Sequence, residues 1–154
     1  MKAMQTTSFL QLAVGAVVVD VVFLLLNYER VVFKSDELTR WYTRFGPWAM
    51  AMDVAIIALV AHAGTRLTSG RNPWVSATTV VALQVAHDVC FATLFYGVPR
   101  GRHFLLDVFK DYANEVGVHA VWSDSLMMLG TLGVGALVRR ARLSSENEAA
   151  LLVA

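Results

Sequence analysis

Charge is what this sequence has least of. Only 16% of its 154 residues are Asp, Glu, Lys or Arg, and 56% are hydrophobic, whereas soluble domains carry roughly 25% charged residues. That balance excludes an ordinary water-soluble domain and places the chain in a bilayer. Cysteine is nearly absent: Cys90 stands alone, so neither a disulfide framework nor a paired-thiol redox mechanism is available. A net charge of +1 without a clustered basic face gives no general attraction to nucleic acid. No HExxH, paired-aspartate diphosphate motif or Gly-rich phosphate loop occurs either. No catalytic residue, metal or cofactor is therefore assigned.

What is present is four apolar stretches, 9–27, 46–63, 74–97 and 118–138, each close to the ~20 residues a helix needs to cross the hydrocarbon core. None shows the strict alternation of a barrel strand. Backbone groups in lipid must be satisfied within the segment, which makes each stretch a helix. The first has Lys2 before an apolar core, as a secretory signal would, but no small-residue cleavage site follows and it runs on into Asn27, Tyr28, Glu29 and Arg30. The expected fold is all-α: a four-span polytopic membrane protein forming a single domain over 1–154, with a tail at 139–154. Its partner is the lipid bilayer.

Loop charge leaves orientation nearly balanced. Lys2, Arg66, Arg71, Arg139, Arg140 and Arg142 lie on the side of the termini, and Arg30, Lys34, Arg40, Arg44, Arg100, Arg102 and Lys110 on the other. The acid-free "RRAR" after the fourth helix tips the expectation to both termini being cytoplasmic. The two longer connections share the opposite side. In "SDELTRWYTRF", Leu38, Trp41, Tyr42 and Phe45 fall at helical spacing behind a cap at Ser35 or Asp36. In "RHFLLDVFKDYANEV", Phe104, Leu105, Val108, Phe109, Tyr112 and Val116 do the same. Both read as amphipathic helices anchored at the interface.

The halves also resemble each other. "DVVFLLLNY" (20–28) set on "DVCFATLFY" (88–96) matches Asp20 with Asp88, and 46–53 set on 117–124 matches Gly46 with Gly117 and Asp53 with Asp124. Two hairpins repeated in the same orientation imply a pseudo-two-fold axis along the membrane normal. At 1.5 Å per residue, Asp20 and Asp53 lie roughly 10 Å from the same face, and Asp88 and Asp124 repeat the arrangement. Four acids exposed to lipid would cost about 10 kcal/mol, at ~2.5 to 3.5 kcal/mol each, so they must face inward. Asn27, Gln84, Thr131, Ser123, Ser125, His87 and His119 add polar groups near this layer.

Four unpaired carboxylates in one weakly hydrated layer cannot all stay ionised, and three functions follow from what neutralises them. As interhelical hydrogen-bonding glue they suit a non-enzymatic structural protein. As a proton or cation path, Asp20, Asp53, Asp88 and Asp124 would act with Gln84, His87 and His119, and a pore would call for a homo-oligomer. As a divalent-metal enzyme they would supply oxygen and nitrogen ligands, although neighbours such as His87 and Asp88 point about 100° apart on a helix. Met50, Met52, Met127 and Met128 read as packing or lipid-facing residues. "GTLGVG" (130–135) supports helix packing without the GxxxG spacing, and Ser145 with Glu148 reads as a capping box in the tail.

The segment "DVFKDYANEVGVHAVWSDSLMM" (107–128) resembles one in small uncharacterised membrane proteins of large DNA viruses of algae and protists. "HDVCFATLF" is similar to the "YDLTNLATL" type of helix in a bacterial four-helix membrane family of unknown function, from which this chain departs at His87 and Cys90. The viral resemblance implies a location in a virion inner membrane or a remodelled host membrane. It favours the structural or assembly role over transport.

Overall fold

The computed structural model describes residues 7–29 and 35–141. The tail cap expected at Ser145 and Glu148 lies outside them. Six helices follow in order: α1 (Phe9–Tyr28), α2 (Asp36–Phe45), α3 (Pro47–Leu67), α4 (Pro73–Gly97), α5 (Phe104–Val116) and α6 (Val118–Arg140). The chain is a polytopic membrane protein, for α1, α3, α4 and α6 are long and apolar enough to span a bilayer. They form two tandem hairpins, α1–α3 and α4–α6. Around the bundle α1 and α4 each lie against both α3 and α6, with the most extensive contact between α1 and α6 and a lesser one closing the α3–α6 diagonal.

Local chemistry sets the helix ends. Ser8 and Gln11 form a reciprocal capping box at the start of α1. Ser35 Oγ accepts from the Leu38 amide at 2.9 Å, as the sequence leads one to expect, and Pro47 and Pro73 occupy first-turn positions where a missing N–H costs nothing. The joints from α2 to α3 and from α5 to α6 are single glycines in nearly the same conformation, Gly46 at φ 52°, ψ −127° and Gly117 at φ 58°, ψ −135°. Only glycine occupies that region comfortably. A Cβ added at Gly117 meets nothing within 4 Å, so Gly117→Ala isolates the backbone cost. It should lower stability by about 1–3 kcal/mol in an unfolding titration in mixed micelles.

The bundle is tightly packed toward the terminal side and hollow toward α2 and α5. Leu12, Ala13, Ala16, Ile57, Ala58, Ala61, Val80 and Met128 make the core. Small residues bring the backbones together there. A Cβ on Gly15 would lie 2.6 Å from the Thr131 carbonyl oxygen, and one on Gly64 would lie 2.4 Å from Val80 Cγ2 and 3.1 Å from Val80 Cα. Gly135 sits on Leu12 and the Gln11 carbonyl in the same manner. The "GTLGVG" run is thus split: Gly130 and Gly135 face α1, while a Cβ on Gly133 would meet nothing.

The amphipathic helices do more than anchor. Their apolar faces fold onto the end of the bundle, where Trp41 is 5% exposed, lies 5.2 Å from the Phe109 ring and 4.5 Å from the Phe45 ring. Phe109 in turn meets Phe91 of α4 edge-on at 4.9 Å. Asn27, at the end of α1, fastens the start of α2: its Nδ2 donates to Thr39 Oγ1 at 3.0 Å and its Oδ1 accepts from the Ser35 amide at 3.0 Å. Glu115 of α5 then caps α2 from across the bundle, accepting from Ser35 Oγ and the Asp36 amide at 2.7 Å each and from the Glu37 amide at 3.0 Å.

That clasp is pH-dependent. Burial pushes the Glu115 carboxyl up, but the Ser35 hydroxyl, the two amides and the Arg40 charge outweigh it, so the group titrates below its ordinary value of 4.5. A depressed acid contributes its stabilisation above the unfolded value and loses it as pH falls through the folded one. The clasp should therefore hold through neutral pH and open only in acid. NMR shifts of the Asp36 and Glu37 amides should titrate with a midpoint below 4.5, and a midpoint at or above that value contradicts the assignment.

Candidate functional site: an acidic chamber inside the bundle

The hollow half holds a partly open cavity of about 330 Å3, bounded by α2 and α5 on one side and by Ile57, Met127 and Met128 on the other. Asp20, Asp53, Asp88 and Asp124, one from each spanning helix, all line it, as do Gln84 and His87. Six of the seven residues singled out in the sequence thus meet in one space. His119 does not: its side chain is exposed and lies outside the lining. Thr131 is fully buried but belongs to the packed half against Gly15. Ser125 also lies outside the lining and returns its hydroxyl to the Val121 carbonyl.

Two tyrosines and a tryptophan complete the site. Tyr42 Oη lies 2.7 Å from Asp20 Oδ1 and 2.7 Å from Asp53 Oδ2, and Trp41 Nε1 donates to Asp53 Oδ2 at 3.3 Å. A phenol has one proton to donate, so it serves one carboxylate, and the second short contact needs a proton that tyrosine does not supply. In the Asp20–Tyr42–Asp53 bridge that second donor would be a protonated carboxyl group giving its proton to the phenol oxygen. Burial, reinforced by the Asp53 and Asp20 charges, pushes the Tyr42 phenol far above its ordinary range. Tyr112 is pushed up in the same way, by burial and then by Asp124, Asp53 and Asp88. Both remain neutral donors at physiological pH.

On α4, Asp88 Oδ1 accepts from Gln84 Nε2 at 2.7 Å and lies 3.2 Å from His87 Nδ1. Adjacent residues leave a helix about 100° apart, yet the His87 ring lies within reach of the neighbouring carboxylate. His87 also stacks on Phe91 at 5.8 Å.

Some oxygens remain without partners among the described residues. Asp20 Oδ2, Gln84 Oε1 and Asp88 Oδ2 are buried and accept no hydrogen bond, and all three residues line the cavity. Among the described residues no Lys or Arg lines it. Buried Lys110 is turned away, donating to the Val98 carbonyl and lying 3.5 Å from Asp107. The described lining thus presents carboxyl and amide oxygens, with His87 beside Asp88 as its basic side chain.

Sequence reasoning places Trp41, Tyr42 and Tyr112 on the apolar faces of the amphipathic helices but not in the site. The usable signal was their proximity in sequence. Tyr42 precedes Asp53 by eleven residues across a one-residue glycine joint, which folds α2 back over the mouth of α3.

Fold and site together define a class: an all-α, four-span integral membrane protein with an acidic chamber inside its bundle. No family model, curated protein or solved structure matches this chain.

Proposed function

We propose that this is a non-enzymatic membrane protein that binds protons or cations in its acidic chamber and carries them across the bilayer. The observation that carries the reading is the convergence of Asp20, Asp53, Asp88 and Asp124 on one cavity. Intramembrane acids that face a cavity mark ion pathways far more often than lipid-facing positions. Hydrogen-bonding glue would join acids to polar groups on neighbouring spans. Tyr42 does join Asp20 of α1 to Asp53 of α3, but Asp88 pairs within its own helix, and close contact between spans rests on Gly15, Gly64 and Gly135. The packed terminal half leaves no continuous lumen, so passage requires the helices to part, as in a carrier.

The same reading takes the two hairpins as a repeat about an axis along the membrane normal. Support comes from equivalent positions: Gly46 and Gly117 share one rare backbone state, and Gly64 on Val80 corresponds to Gly135 on Leu12 under the offsets of the aspartate match. Both termini would then face one side, taken as cytoplasmic. The assembly role in a virion or host membrane, implied by the resemblance of 107–128, is the competing reading. It requires no flux.

Reconstitution separates them. Liposomes containing the protein should show pH- or cation-driven flux that falls at least tenfold in Asp88→Asn. Absence of flux from folded wild-type protein, with Asp88→Asn altering only thermal stability or oligomeric state, would favour the assembly role.

A further inference from the structure

Resting on the cation reading above, we infer that the cation which fits this chamber is organic: the protonated primary or secondary amine of a small, mainly apolar molecule. Three observations lead there. First, the unsatisfied groups in the cavity lining are carboxyl and amide oxygens. Asp20 Oδ2 and Gln84 Oε1 belong to side chains only 2% and 4% exposed, Asp88 Oδ2 is likewise without a partner, and all three line the cavity. A buried polar atom without a hydrogen bond costs about 1–3 kcal/mol, so the occupant that belongs there brings N–H donors. An ammonium with two or three N–H groups meets that need, and a quaternary ammonium does not.

Second, the charge is one-sided. Four carboxyl groups line the space, and among the described residues His87, 3.2 Å from Asp88, is the one basic side chain facing them, so a positive guest supplies counter-charge that the lining lacks. Third, the walls suit an organic body better than a bare metal ion. Among the described residues no group of three or more His, Cys, Asp or Glu side chains is arranged to hold a metal, whereas a calcium ion asks for six to eight oxygens at ~2.3–2.6 Å. The cavity, about 330 Å3, is walled by Trp41, Phe91, Phe95, Phe109, Met127 and Met128. Its size lies at the lower end of the ~300–1,000 Å3 typical of small-molecule sites. Aromatic faces attract ammonium groups that carboxylates orient.

In this assignment the ammonium sits against Gln84 and Asp88, neighbours at 2.7 Å on α4, and the apolar remainder packs on the aromatic wall. The Asp20–Tyr42–Asp53 bridge lines the same cavity, so binding a cation and holding the shared proton are two ways of neutralising the same cluster.

Phenethylammonium and its uncharged near-isostere 2-phenylethanol are suitable probes, titrated into the purified full chain in detergent and followed by calorimetry and thermal shift. The expected result is saturable binding of phenethylammonium at neutral pH, at least tenfold tighter than 2-phenylethanol. Asp88→Asn should weaken the ammonium at least tenfold while leaving the alcohol unchanged. Since the two-probe comparison is made on the wild-type protein, it stands even if the variant misfolds. Equal binding of ammonium and alcohol would overturn the inference, since the site would then read apolar volume alone. Proton or inorganic-cation flux without phenethylammonium binding or competition would overturn the organic substrate but leave the cation reading intact. Neither flux nor binding would end both.

Discussion

Gly15→Ala should separate α1 from α6 and cost about 3 kcal/mol, the top of the usual range for overpacking. The added Cβ would stand 2.6 Å from the Thr131 carbonyl oxygen and 3.1 Å from the Gly135 amide nitrogen. Both are backbone atoms of a rigid helix, so no rotamer change relieves the clash and the interaxial distance must widen. That interface is the most extensive in the bundle, and in lipid its strength comes from close van der Waals contact that widening weakens. Gly133→Ala is the matched control on α6. Its added Cβ meets nothing within 4 Å, and alanine's better helix propensity should leave stability unchanged or raise it by up to about 1 kcal/mol. Equilibrium unfolding in mixed micelles reads both. Equal behaviour of the two variants would contradict the packing described.

Tyr42→Phe should have a comparable effect for an electrostatic reason. Removing the hydroxyl takes away the contact at 2.7 Å to Asp20, whose other oxygen already lacks a partner. It also leaves Asp53 with only the longer Trp41 contact at 3.3 Å. Leaving the buried Asp20 Oδ1 without a partner against an apolar ring edge should cost about 1–3 kcal/mol, with a smaller loss at Asp53. The aromatic packing of α2 and α5 is retained, so the change isolates the Asp20–Tyr42–Asp53 bridge. Proton-coupled flux should fall with it, whereas Tyr96→Phe, which loses an exposed hydrogen bond to Asn114, should leave both stability and flux near wild type.

How far the sequence speaks for this molecule depends on the range of the interaction. Hydropathy over ~20 residues is a local property, and the four spans fall within a few residues of where it places them. α3 runs on to Leu67, where Thr65 and Thr68 return their hydroxyls to preceding carbonyls and keep the last turn satisfied. The depth of the aspartates is local too, since rise per residue fixes it, and their meeting in one cavity follows from the cost of exposing them to lipid. Which glycines make contact is not local. Gly130, Gly133 and Gly135 look alike in the chain, and only the register of α1 against α6 distinguishes them. The placement of α2 and α5 is likewise a long-range result. Amphipathicity shows that α2 and α5 have an apolar face, but the Glu115 clasp and the Asn27 tie to Ser35 and Thr39 decide that it covers the bundle. His119 shows the converse, a polar residue near the layer whose helical phase turns it outward.

A high-resolution structure of the protein in lipid nanodiscs would show whether the four aspartates meet in one largely apolar cavity within the bundle. The account predicts ordered density, water or a bound cation, within hydrogen-bond distance of Asp20 Oδ2, Gln84 Oε1 and Asp88 Oδ2, with Tyr42 between Asp20 and Asp53. A bundle collapsed along its whole length, with any of the four carboxylates turned to the acyl chains, would contradict it.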